Sequence, residues 1–207
     1  MRKNLILIVL IVFLFSAIFV MANDQFTGDD PVKAGEPLLI TNAGQGPGGK
    51  MARLLVIQSQ AVEDWTYNAE PEPEDLEEKP YKTLLVVIGS SAKGLGASGI
   101  TIDDEIERLD KMIAKAQELE MQIIAAHIEG MARRDQEGGA NERSINAIAP
   151  FADYIIVRED GNADGKFTKI AEENEVPITF IKDTRDLTEV IKLMYPGDSV
   201  SEDDACI

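Results

Sequence analysis

"TLLVVIGSSAKGLGASGITIDDE", residues 83–105, passes from an unbroken apolar run through a glycine- and serine-rich segment into an acidic helix start. A run such as Thr83 to Gly89, apolar at nearly every position instead of every second one, is what a parallel strand covered on both faces requires. Comparable runs recur at Pro37 to Thr41, Gln122 to Ile128 and Tyr154 to Arg158, with a shorter one at Ile178 to Lys182. Helical periodicity separates them, at Lys50 to Ala61, Asp103 to Glu120, Asn141 to Ala149, Phe167 to Asn174 and Leu187 to Met194. In the longest, Ile106, Leu109, Ile113, Ala116 and Leu119 fall on one face, and Thr101 with Asp104 has the spacing of a capping box. "DWTYN" (64–68) predicts a short strand and "EPEPEDLEEKP" (70–80) a helical turn in a proline-rich connection. Strands alternating with helices predict an α/β fold. The expected form is a doubly wound, mostly parallel sheet of five or six strands, in a Rossmann-like or flavodoxin-like three-layer sandwich.

Right-handed crossovers put every strand-to-helix loop at one sheet edge. Ligands of such sheets bind outside the carboxyl ends of the strands, where successive connections leave in opposite directions. With strand order 2-1-3-4-5 that point lies between the first and third strands, and both are followed by glycine-rich loops. The first, "NAGQGPGGKM" (42–51), has the Gly44, Gly49 and Lys50 spacing of a phosphate-cradling ATP loop. Met51 then stands where that loop needs a Ser or Thr to hold magnesium, and no carboxylate offers itself as second metal ligand. The second, "GSSAKGLGASGI" (89–100), adds Ser90, Ser91, Lys93, Gly94 and Gly96. Together with Gly44, Gln45, Gly46 and Lys50 they form a candidate pocket for a small polar or anionic molecule. Arg133 and Arg134, in "AAHIEGMARRD", are placed at the same edge to fork a carboxylate or phosphate. Purely structural glycines and salt-bridging arginines are the competing reading.

Weaker chemical signals accompany these. His127 is the one histidine, so a serine-dependent hydrolase or transferase would use Ser90 or Ser91 as nucleophile and His127 as base. The Ser90-x-x-Lys93 pattern lacks the further elements of penicillin-recognising enzymes. Asp160, Asn162 and Asp164, with Gly165, match the first half of a calcium loop, but its twelfth position is Ala171 instead of an acid.

The N-terminus bounds location. Arg2 and Lys3 precede an apolar run from Leu5 to Met21, and the chain turns acidic at Asp24. That is an export signal over residues 1–22, removed or kept as an anchor. It places the rest in an extracytoplasmic location, secreted or tethered to the outer face of the cytoplasmic membrane, where ATP is scarce. Residues 23–36 read as a flexible spacer, 37–196 as a single α/β domain and 197–207 as an acidic disordered tail. The formal charge of −17 repels nucleic acid and anionic lipid, so membrane contact is expected only through the N-terminal segment. The lone Cys206 allows no intramolecular disulfide.

"LLITNAGQG", "VVIGSSAKGLGASGITIDDE", "HIEGMARR" and "DYIIVREDGNADGKFTKIAEENEVPIT", in this order, resemble the exported bacterial proteins of domain of unknown function 6305. The resemblance runs from about Leu38 to Met194. It implies an α/β domain behind an export signal, with no assigned reaction. Gln45, Ser90, Ser91, Lys93, Arg133 and Arg134 sit in the matching segments, whereas "GPGGKM" is a local variation. Three functions follow as expectations: a non-catalytic ligand-binding domain, the serine-dependent enzyme, or an envelope interaction module that uses its acidic face.

Overall fold

The structure, a computed structural model, describes residues 26–196 of the 207. The segments expected as an export signal (1–22) and as an acidic tail (197–207, with Cys206) lie outside the described residues. Seven strands form one sheet: β1 (Phe26–Gly28), β2 (Leu38–Ala43), β3 (Trp65–Tyr67), β4 (Thr83–Ile88), β5 (Gln122–His127), β6 (Tyr154–Arg158) and β7 (Ile178–Ile181). Their order is β1-β7-β6-β5-β4-β2-β3, and every neighbouring pair is parallel except β1 with β7. Among the described residues six α-helices accompany the sheet: α1 (Gly48–Ser59), α2 (Ala92–Ser98), α3 (Ile102–Glu118), α4 (Ala140–Ile148), α5 (Lys166–Asn174) and α6 (Leu187–Met194).

Successive strand residues point to opposite faces, which divides each apolar run between two cores. Leu39, Leu84, Val86, Ile123, Ala125, Ile155 and Val157 pack beneath α3, α4 and α5. Leu38, Ile40, Leu85, Val87, Ile124, Ala126 and Ile156 pack beneath α1 and α6. Because α1 follows β2 on one face and α3 follows β4 on the other, connections diverge between β2 and β4. That is the switch point expected from sequence. The capping box opening α3 is also present, with Asp104 N donating to Thr101 Oγ1 at 3.2 Å and Thr101 N donating to Asp104 Oδ2 at 2.8 Å.

Two segments differ from the sequence expectation. The strand count is seven, not five or six, because Phe26–Gly28, placed in the spacer, pairs antiparallel with β7. Three residues carry no periodicity; Asp29 supplies the register instead. It accepts from Ile178 N through Oδ2 at 2.8 Å and from Thr179 Oγ1 through its carbonyl at 2.6 Å. Helix α2 also forms where a loop was expected, despite Gly94 and Gly96. Ser91 caps its start by accepting from Gly94 N at 3.1 Å, and Gly99, at φ 70°, ends it in the left-handed region. Among the described residues no helix is long and apolar enough to cross a membrane.

Candidate functional site

The first glycine-rich loop is fastened at both ends. Asn42, at the end of β2, accepts from Gly49 N through Oδ1 at 2.8 Å and so satisfies one donor of the start of α1. Gly44 turns at φ 98° and donates its N–H to Glu105 Oε1 at 2.8 Å, while Gln45 Nε2 donates to Glu105 Oε2 at 3.2 Å. Glu105 is fully buried and is neutralised by Arg108, whose Nε and Nη2 donate at 3.0 and 2.9 Å. Arg108 Nη2 and Nη1 further donate to the carbonyls of Asn42 and Pro71. A buried ion pair on α3 thereby holds the loop after β2.

The second loop lies directly on the first. Gly89 N donates to the Ala43 carbonyl at 2.9 Å, Ser91 N donates to the Gly44 carbonyl at 2.8 Å, and Gln45 bridges Ser90. A Cβ at Gly46 would overlap the Gly89 carbonyl, and one at Gly94 the Gln45 carbonyl. These glycines permit backbone-to-backbone approach, the structural role weighed against ligand binding above. Lys50 and Lys93 are exposed, and a Cβ at Gly96 would meet open space. Ser91 is engaged as the cap of α2. Ser90 N donates to Asn141 Oδ1 at 2.6 Å, while Ser90 Oγ is buried without a hydrogen-bond partner.

The residue that occupies the switch point is Glu129, just past β5. Its Oε1 lies 3.0 Å from where a Cβ on Gly48 would be, 3.1 Å from that of Gly89 and 3.4 Å from that of Gly46. Three glycines from both loops thus form a cradle around one carboxylate oxygen. Glu129 Oε2 accepts from Arg133 Nε at 2.9 Å, and Arg133 Nη1 donates to the Ser90 carbonyl at 3.0 Å. Glu129 Oε1 itself is buried and has no partner. With the side chain 10% exposed, an acceptor that would make strong hydrogen bonds in water is left unsatisfied. The start of α1 favours negative charge, and the Glu129 carboxylate lies beside it, close to Gly48.

His127 and Arg134 belong to a neighbouring, separate network. His127 is fully buried, its Nε2 is 3.1 Å from the Arg133 carbonyl, and its ring centroid is 5.0 Å from that of Phe167. Nδ1 has no partner and faces Gly161. Burial, reinforced by the Arg134 charge, lowers the His127 pKa and keeps the ring neutral. Neither ring nitrogen is hydrogen-bonded to Ser90 or Ser91. Arg134 donates to Glu142 Oε1 at 2.7 Å, to Asp164 Oδ2 at 2.6 Å and to the Gly161 carbonyl. Lys166 Nζ joins Glu142 at 2.7 Å. The forked arginine of the sequence reading is therefore filled by the protein's own carboxylates.

The three calcium candidates are likewise engaged. Asp160 takes both Nε and Nη2 of Arg158 at 2.6 Å, Asn162 Oδ1 accepts from Phe167 N at 2.8 Å, and Asp164 faces Arg134. Among the described residues no group of three or more acidic, histidine or cysteine side chains is arranged to hold a metal. The Arg134 hydrogen bond holds the Asp164 pKa at about 2, below the ordinary 3.8. A depressed carboxyl pKa contributes stability that is complete above the ordinary value and is lost as pH falls through the folded one. Asp164→Asn is expected to lower the urea midpoint near neutral pH, with the deficit shrinking as pH falls from about 4 to about 2. Urea titrations across that range check this; a deficit independent of pH would contradict it.

Glu129, Glu105 and Arg108 did not stand out in the sequence reading. A signal existed for the pair: Glu105 and Arg108 sit on the buried stripe of α3 with Leu109, Met112 and Ala116, where charges need a reason. For Glu129 the available signal was position, an acid two residues past β5, the strand next to the switch point, and followed by Gly130.

Among solved structures the chain is similar to a GDP-L-fucose synthetase from Naegleria fowleri bound to NADP, at 9% identity and TM-score 0.39 over 77% of this chain. It spans about half of that enzyme, 53% of its chain. It is also similar to the psychrotrophic esterase EstA from Pseudoalteromonas sp., at 10% identity and TM-score 0.34, covering 77% of this chain and 95% of that one. The acetyl xylan esterase AlAXEase follows at 13% identity and TM-score 0.35, covering 75% and 81%. At TM-scores this low, one protein's site cannot be laid on another's. No curated protein matches the chain. The sequence profile of a domain of unknown function, DUF6305, matches residues 35–195, and the chain belongs to that family.

Proposed function

We propose that this domain is a non-catalytic binding module, working outside the cytoplasmic membrane, for a small polar molecule held at the carboxyl edge of the sheet. The supporting observation is the orphaned Glu129 Oε1 in its glycine cradle at the switch point. An ionised carboxylate accepts hydrogen bonds and donates none. The complementary group is therefore a donor, a hydroxyl or an ammonium, and an anionic ligand would meet repulsion there. The parallel strands, renumbered from β2, follow the order 2-1-3-4-5-6, which supports a flavodoxin-like winding with its ligand site between β2 and β4. The export signal read at residues 1–22 supports the location.

A serine-dependent reaction would need His127 to leave the Arg133 carbonyl and reach a hydroxyl it does not now touch. A calcium site at Asp160, Asn162 and Asp164 would need Arg158 and Arg134 to withdraw. The binding reading needs neither movement, only that the ligand displace the atoms that now cover Glu129 Oε1.

Native mass spectrometry of the protein isolated from its own cells, comparing folded and denatured masses, tests this. Wild type is expected to carry a small organic molecule that Glu129→Ala loses. Arg133, 23% exposed, keeps its bond to the Ser90 carbonyl when Glu129 is removed, and circular dichroism verifies that the variant folds. A bare wild-type chain, a ligand retained by Glu129→Ala, or an excess of only ~38 Da from calcium replacing two protons would each contradict the proposal.

A further inference from the structure

Helix α1 is apolar on two sides. Ala52, Leu55 and Val56 face the core. On the outer side Lys50, Arg53, Leu54 and Ile57 follow the i, i+3, i+4, i+7 spacing of one helical stripe and are exposed, Leu54 by 62% and Ile57 by 47%. Leu193 on α6, which packs beside α1, adds a third aliphatic at 41%. Residues Gly48–Ser59 contain no acid, in a chain with 37 acidic and 20 basic side chains. Arg53 lies 6.0 Å from the ring centroids of both Trp65 and Tyr67, at the outer edge of the same layer.

From this charge pattern we infer that the outer face of α1, with Leu193, docks on an anionic phospholipid bilayer. Exposed aliphatics flanked by Lys and Arg are the composition of a helix lying in a membrane interface, with the apolar side chains entering the acyl boundary and the cations meeting headgroups. The net charge of −17 predicts repulsion, but charges farther than the Debye length, about 10 Å at 0.1 M salt, are largely screened. The local face therefore governs close contact. The chain's extension fits this occupant. The residues before Phe26 include the apolar run from Leu5 to Met21, and Phe26 packs on the same core layer as α1 and α6. An N-terminal segment held in a bilayer would bring this side of the sheet to it. The inference does not depend on the Glu129 site.

Trp65 is the one tryptophan in the chain, so its fluorescence reports which side meets lipid, whether or not the N-terminal segment holds the full chain on the vesicle. The full chain is bound to vesicles carrying brominated acyl chains, made of phosphatidylglycerol or of phosphatidylcholine. Trp65 quenching is expected to be about two-fold or more stronger in phosphatidylglycerol, and Leu54→Asp with Ile57→Asp is expected to remove the difference. Both positions are exposed, and circular dichroism verifies that the variant folds. Equal quenching in the two lipids, or quenching unchanged by the double substitution, would overturn the inference. So would a vesicle-free dimer that the substitution abolishes, since the face would then belong to a second copy of the chain.

Discussion

Glu105→Ala is expected to destabilise the domain by about 3–5 kcal/mol, the range for removing one partner of a buried ion pair. Four groups lose their acceptor at once: Gly44 N, Gln45 Nε2, and Nε and Nη2 of Arg108. The guanidinium that remains is almost fully buried, with the Asn42 and Pro71 carbonyls as its other oxygen partners. In a domain of this size the loss corresponds to a Tm lowered on the order of 10 °C. Glu105→Gln should cost less, because the amide oxygen can still accept from Gly44 N. Replacing both charges by apolar residues should recover part of the loss and leave the Gly44 N–H unpaired. Chemical denaturation of the four proteins gives the comparison. A single Glu105→Ala variant within about 1 kcal/mol of wild type, the size of a surface pair, would show that the pair does not hold the loop.

Gly44→Ala should have an effect of similar size for a different reason. Its φ of 98° lies where side chains are rarely accommodated, and an added Cβ would come 2.6 Å from Ser90 Cα, within the backbone of the second loop. Strained backbone costs about 1–3 kcal/mol, and overpacking against atoms that cannot rotate away typically adds about 1–3 kcal/mol. Relief would require the two loops to part, which would also break the Ser91 N to Gly44 carbonyl bond of 2.8 Å. The substitution and Glu105→Ala act on the same loop, so their combined cost should fall short of additivity. Denaturation midpoints of the single and double variants measure that shortfall. A fully additive pair would indicate that the two residues stabilise independent parts of the fold.

Continuous apolar runs marked β2 and β4 to β7, and amphipathic stripes five of the six α-helices among the described residues, because both are direct consequences of burial; β3 rested on "DWTYN" alone. β1 was illegible for a physical reason: a three-residue edge strand owes its place to backbone pairing and to Asp29, neither of which leaves a pattern. Helix α2 was masked by Gly94, which reads as a helix breaker but is present because the Gln45 carbonyl packs where its Cβ would be. The switch point between β2 and β4 followed from topology and was legible as well. The chemistry at that position was not. Lys50 and Lys93, prominent in sequence, are exposed, while the group in the cradle is a glutamate that no motif marks. In sequence Arg134 and the acids from Asp160 to Asp164 belong to separate ligand and metal motifs, yet Arg134 pairs with Asp164 and Asp160 with Arg158. Pairing across loops is invisible to a reading that takes each motif alone.

The most direct measurement for the central claim is a high-resolution crystal structure of the protein as isolated from its cells, without added ligand. The account predicts ordered density from a small organic molecule in the glycine cradle, with a hydroxyl or ammonium about 2.6–3.2 Å from Glu129 Oε1. Water alone at that oxygen, or a Glu129 carboxylate already satisfied by backbone N–H groups, would contradict it and leave the glycines with packing as their whole role.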